Sequence, residues 1–213
     1  MGAAVGGRGL FISFEGLDGV GKSTQAAALA AWLGWRWGRE VVMVREPGGT
    51  PLGEAVRRLL LDAGGAAPAS VRAEALLFAA ARAELVERVV RPALARGAVV
   101  VADRFADSTV AYQGYGLGLG PRVTAAINAW ATGGLEPHLT IWLDGPPLGP
   151  LSGDRIEQRG EDFRERVRAG YAALAAADPR RWRRVEADRP LEQVTAQVQG
   201  LVERLLAGKG AEA

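Results

Sequence analysis

The chain has 213 residues, 48% of them hydrophobic, and a formal net charge of +2, enough for one well-buried domain and short for two. Its 26 cationic residues are scattered rather than gathered in a run or tail, which argues against a polycation for nucleic acid or membrane and suits a protein that handles phosphorylated small molecules. It has no cysteine, which excludes disulfides, thiolate metal sites and cysteine nucleophiles.

Met1 to Gly9 is rich in Gly and Ala, and the apolar run after it is interrupted at Glu15, so no secretory segment is read there. No run reaches the roughly 18 apolar residues of a membrane span, and a cytoplasmic protein is expected. Leu10 to Glu15 (LFISFE) reads as a strand, followed by a glycine turn and a helix from Lys22 to about Trp35. Val41 to Val44 is a second buried strand, stopped by Glu46-Pro47-Gly48-Gly49. Helices are predicted at Pro51 to Leu61 and from Val71 to about Arg96, with Pro92 near the end of the latter. Strands follow at Ala98 to Ala102, at Leu139 to Leu143 and, weakly, at Arg184 to Ala187, with helices near Pro121 to Ala131, Asp162 to Ala177 and Pro190 to Leu206. Continuous apolar strands alternating with helices predict an α/β fold in three layers, a five-stranded parallel sheet covered on both faces, as one domain over residues 1–213.

Between the first strand and the first helix, Gly16-Leu17-Asp18-Gly19-Val20-Gly21-Lys22-Ser23 satisfies G-x-x-x-x-G-K-[ST], with Thr24 next. The glycines let backbone N–H groups wrap a phosphate, and the helix N-terminus adds partial positive charge. Lys22 would reach the β- and γ-phosphates of ATP and Ser23 would ligate Mg²⁺. Only Lys22 and Lys209 are lysines, so the motif Lys stands at an unusual address, and no lysine is left to build the N-K-x-D guanine reader of a GTPase switch. An acid at the end of a neighbouring strand should complete the Mg²⁺ site; Asp103, directly after AVVVA, is the candidate, its other reading being a helix N-cap.

Four further motifs stand in order: Arg45-Glu46-Pro47-Gly48-Gly49-Thr50; Leu77-Phe78-Ala79-Ala80-Ala81-Arg82; Asp103-Arg104-Phe105 with Ser108-Thr109 and Ala111 to Gly116; and Asp154-Arg155-Ile156-Glu157-Gln158. Together with the phosphate loop they resemble the thymidylate kinases, in the bacterial form with REPGG, over Leu10 to Leu206. The resemblance implies a P-loop kinase fold, transfer of the γ-phosphoryl of ATP to dTMP with Mg²⁺, and a homodimer. It implies that Arg104 captures the acceptor phosphate, a role for which a planar five-donor guanidinium is suited. It also implies that Asp18 positions that phosphate or its metal-bound water, that Phe78 stacks on thymine, and that Arg82 bonds the rim of the base. Thr109 and Gln113 would read the remaining edge, Arg57 would line the pocket and Tyr112 would lie against the deoxyribose. Taken alone, Phe78 and Tyr112 also read as core packing. The rival functions are another nucleotide or small-metabolite kinase on this fold and a P-loop switch; neither nucleic acid nor membrane is expected as a partner.

One stretch departs from that family. The lid region, about residues 145–160, begins with Gly145 to Gly153, which is short and carries no basic residue, and it reads as a mobile loop. The lid arginine is therefore assigned to Arg155, with Arg159 one turn on; the other reading of Arg155 is a surface partner of Asp154 or Glu157. His138 reads as a surface loop residue, and the six tryptophans as core or interface.

Overall fold

The computed structural model describes residues 9–62, 70–149 and 153–209, the side chains of residues 157, 208 and 209 excepted. The N-terminal Gly/Ala segment to residue 8 and residues 150–152 of the expected lid loop lie outside the described residues.

The described strands are β1 (Leu10–Glu15), β2 (Val41–Arg45), β3 (Val99–Asp103), β4 (Leu139–Asp144) and β5 (Trp182–Glu186). They form one parallel sheet in the order β2-β3-β1-β4-β5. The helices are α1 (Lys22–Trp37), α2 (Pro51–Leu61), α3 (Val71–Leu85), α4 (Arg91–Ala95), α5 (Ala106–Thr109), α6 (Pro121–Thr132), α7 (Glu161–Ala177) and α8 (Leu191–Lys209). Wide π turns at Val86–Val90 and Val110–Gly116 join α3 to α4 and extend α5.

Side chains alternate across a strand, so β1 feeds two cores. Leu10, Ile12 and Phe14 pack with Leu29 and Leu33 of α1 and with Val194, Val198 and Val202 of α8. Phe11 faces the other way, toward Leu85, Val90 and Ala93 of the α3–α4 run and Phe105. On that second face, under α7, Trp142 and Trp182 pack with Tyr112, Phe163 and Tyr171. Burying one such side chain is worth about 1.5–3 kcal/mol, so each face of the sheet needs its helices.

The register sets where the chemistry can occur. Phe14 of β1 and Arg45 of β2 both pair with Asp103, so the carboxyl ends of β1, β2 and β3 finish at one level. From that edge emerge the phosphate loop, Glu46 and Arg104. In open parallel sheets this edge is where ligands bind, at the strand from which the order runs outward in both directions; here that strand is β1.

Candidate active site

The phosphate loop turns where only glycine fits. Gly16 has φ +142°, and a Cβ there would lie 2.4 Å from the Leu143 carbonyl oxygen; Gly21, at φ +91°, then starts α1. No side chain caps α1 and its first turn has no acidic residue, so its free N–H groups and partial positive charge face the loop. Asp18, Gly19, Gly21, Lys22, Ser23 and Thr24 line one cavity with Arg45 and Asp103. Val20 is in the core and Gly16 is buried, so these two, with Leu17, can offer backbone rather than side chains. Lys22 is buried and its ammonium donates to the Leu17 carbonyl. Burial, then the Arg104 guanidinium, pull its pKa down to about 8 against the pull of Asp18, Asp103 and Glu15.

The Ser23 hydroxyl donates to the Asp103 carboxylate across the sheet edge. The helix that follows β3 starts at Phe105 without a side-chain cap, so Asp103 is not an N-cap. A carboxylate and a hydroxyl, both hard oxygen donors, fit Mg²⁺, which completes its shell with substrate phosphates and water.

A second cavity lies beside the first. Asp18, Arg57, Phe78, Arg82, Arg104, Thr109, Tyr112 and Gln113, every residue expected at the acceptor, line it, and Ser108 and Asp154 join them. Phe78 is half-buried, packing on the cluster of Val56, Leu60 and Ala81 while also lining the cavity. Tyr112 does more than pack: its hydroxyl donates to Asp18 at 2.9 Å and accepts from Arg104 at 3.0 Å. Arg57 donates to the Pro47 carbonyl at 3.1 Å.

Arg104 sits between the cavities at φ 72°, left-handed for a residue with a Cβ. Its Nη2 pairs with Asp18, and its Nη1 donates to the Gly16 carbonyl, Ser108 and Tyr171 at 3.0–3.2 Å. Burial works to raise the Asp18 pKa, but Arg104 and then Lys22 hold the carboxyl below its usual range.

Three buried carboxylates organise this site. Glu46 is bound by Arg82 Nε at 2.8 Å; burial pushes its pKa up and Arg82 opposes the rise. Arg82 also donates to Asn128, Thr109 and the Phe105 carbonyl. Glu74 accepts two hydrogen bonds from Arg159 and one from the Gln113 amide nitrogen at 2.8 Å. Glu15 accepts from Phe105 N–H, Ser108 and Tyr171. Burial, then the neighbouring Asp107, raise its pKa to about 7. The sequence reading gave none of the three a role, although the interruption of an apolar strand by Glu15 was a visible signal.

Arg155 is not brought to the phosphate loop. Its Nε donates to the Leu60 carbonyl at 3.1 Å, and its Nη2, buried without a hydrogen-bond partner, lies 3.8 Å from Glu74. Its ion pair is with Glu74, whereas the sequence also offered Asp154 or Glu157, the latter's side chain lying outside the described residues. Arg159 is fastened to Glu74 on both nitrogens. His138 is exposed, as expected, and accepts the Phe11 N–H at 2.9 Å.

The family model described as thymidylate kinase matches residues 14–198. A thymidylate kinase from Bifidobacterium longum is 48% identical over 206 residues, covering 92% of this chain and 98% of the relative. One from Desulforudis audaxviator is 51% identical over 187 residues, 85% of this chain and 84% of the relative. The crystal structure of a thymidylate kinase from Ehrlichia chaffeensis superposes with a TM-score of 0.78 at 34% identity, over 92% of this chain and 99% of that one.

Proposed function

The chain belongs to the thymidylate kinase family and phosphorylates dTMP, and from that premise we propose how its residues divide the work of ATP + dTMP → ADP + dTDP. The observation that carries the assignment is that the phosphate-loop cavity and the acceptor cavity share Asp18, Glu46, Arg57, Arg104 and Asp154. A phosphoryl group can pass between two bound nucleotides there without meeting bulk water.

The backbone N–H groups of Gly16 to Thr24 hold the ATP phosphates, and Lys22 exchanges the Leu17 carbonyl for their charge. Arg104 grips the acceptor phosphate, and Asp18, already bonded to Arg104 and Tyr112, keeps that fork in position. Ser23 and Asp103 would hold Mg²⁺, which would supply neutralisation of the charge that builds on the phosphates. At the base, Arg82 has one Nη1 hydrogen beyond those given to Glu46, Asn128, Thr109 and Phe105, and it suits a carbonyl on the pyrimidine rim. With the Gln113 nitrogen committed to Glu74, its carbonyl oxygen is left for the N3–H of thymine. Phe78 stacks on the ring, while Arg57 and the Tyr112 ring close the sides of the pocket.

The residues following the short loop carry the lid role. Arg155, whose Nη2 has no hydrogen-bond partner of its own, turns from Glu74 to the transferred phosphoryl, while Arg159 stays on Glu74. Arg159 and Glu74, which also holds Gln113, thus join the lid region to the acceptor pocket.

A coupled ADP-release assay across nucleoside monophosphates tests the base assignment. We expect dTMP to be the best acceptor, dUMP weaker and AMP, GMP and CMP poor. A purine monophosphate equal to dTMP in that panel would overturn the roles given to Phe78, Arg82, Thr109 and Gln113.

A further inference from the structure

Glu15 ends β1 one residue before the phosphate loop, is fully buried, and lines neither cavity. One of its carboxylate oxygens accepts the Phe105 N–H at 2.8 Å. The other accepts the hydroxyls of Ser108 at 2.6 Å and Tyr171 at 3.0 Å. A hydroxyl has one hydrogen to give and two lone pairs to receive with. The oxygens of Ser108 and Tyr171 also lie 3.0 Å from each other. With both hydrogens given to Glu15, neither donates to the other, and each accepts from Arg104, whose Nη1 donates to them at 3.0 and 3.2 Å. The same carboxylate tethers the peptide N–H immediately after Arg104, the residue held at φ 72°. A strained backbone persists only where its surroundings over-determine it.

We propose that Glu15 is a positioning residue for acceptor binding: from behind the site it fixes the side chain of Arg104, through the two hydroxyls, and its backbone, through Phe105, so that the guanidinium fork is aimed before dTMP arrives. The proposal rests on the reading of Arg104 as the clamp for the acceptor phosphate. It assigns a function to Tyr171, which stands in α7 far along the chain and touches neither cavity.

Glu15→Gln tests it with almost no change in shape. The amide nitrogen donates where a carboxylate oxygen accepted, so the two hydroxyl hydrogens lose their shared acceptor; one can pass to the other hydroxyl, 3.0 Å away, and the second is left to crowd the hydrogens of Arg104 and weaken its hold. We expect KM for dTMP to rise about tenfold while KM for ATP stays within about twofold. Combined with Arg104→Lys, the substitution should add little to the single Arg104→Lys defect, because the two act through one contact. Arg104→Lys with unchanged dTMP kinetics would show that the clamp reading itself is wrong. A severe Arg104→Lys defect with a Glu15→Gln effect that is absent, equal for both nucleotides, or fully multiplicative with it would leave the clamp standing and overturn the proposal. If Glu15→Gln does not fold, Tyr171→Phe keeps the ring and removes one accepting oxygen. It should give a smaller rise in KM for dTMP alone that disappears in the Arg104→Lys background, and no selective rise would count against the proposal.

Discussion

Arg104 concentrates the costs of the site in one residue: a left-handed backbone, a buried charge and a fork divided between Asp18 and four other acceptors. A left-handed conformation costs a residue with a Cβ about 1–3 kcal/mol, which is sustained where it aims a functional group. Arg104→Lys keeps the charge but replaces a planar fork with a point donor that cannot serve Asp18, Ser108 and a phosphate together. We expect kcat/KM for dTMP to fall by about 1.5–3 kcal/mol, roughly 10- to 150-fold, measured by steady-state kinetics at saturating ATP. A variant within about twofold of wild type would place the guanidinium in a structural role. That Arg104, Lys22, Ser23 and Asp103 would meet at one cavity was legible in the sequence because motifs at fixed spacing carry them. Glu15 and Tyr171 were not, since their bond joins residues 156 apart and a tyrosine inside a helix looks like packing until the sheet is assembled.

At the scale of elements, the strands with continuous apolar runs were readable almost to the residue, and the exceptions have physical reasons. β5 lies at an edge of the sheet and reads Trp-Arg-Arg-Val-Glu, with only Trp182 and Val185 buried, so a search for unbroken apolar runs places it two residues late. The single helix expected from Val71 to Arg96 is divided by the π turn at Val86–Val90, just before Pro92. Proline lacks an N–H and crowds the carbonyl four residues back, here that of Arg88, and a widened turn relieves both. The helical course of Ala106 to Gly116 was not assigned from sequence, though the four-residue spacing of Thr109 and Gln113 hinted at it. The segment after the lid loop, Asp154 to Gly160, is held to α2 by Arg155 on Leu60 and to α3 by Arg159 on Glu74. Releasing Arg155 sacrifices one bond to a neutral carbonyl and a 3.8 Å ion pair, whereas releasing Arg159 would break a two-pronged one. Arg155→Ala should therefore lower kcat about 100-fold or more with little change in KM for ATP, as expected of a charge that acts on the transferred group. Near-normal turnover would confine Arg155 to the anchoring contacts it makes here.

For the whole molecule, we propose that two copies associate, as the family resemblance implies. α3 packs against both α2 and α6, and these three helices expose Leu52 and Leu59 on α2, Leu76 on α3, and Val123 and Trp130 on α6. The pairs on α2 and α6 are each seven residues apart, two helical turns, which lays them along single stripes. Trp130 is 88% exposed, and large apolar side chains left exposed on neighbouring helices suit an interaction surface. A two-fold homodimer uses one such patch on both subunits, so it needs no second surface to evolve. Trp35, 82% exposed at the end of α1, makes an internal control because α1 covers the opposite face of the sheet. Sedimentation velocity at micromolar concentration should give a dimer for the unmodified chain and for Trp35→Ser, and a monomer for Trp130→Glu, which puts a charge on the α6 stripe. Because Trp130 lines neither cavity, the Trp130→Glu monomer should keep its KM values for both nucleotides. A monomeric unmodified chain, or a dimer that survives Trp130→Glu and is lost with Trp35→Ser, would move the interface off α2, α3 and α6.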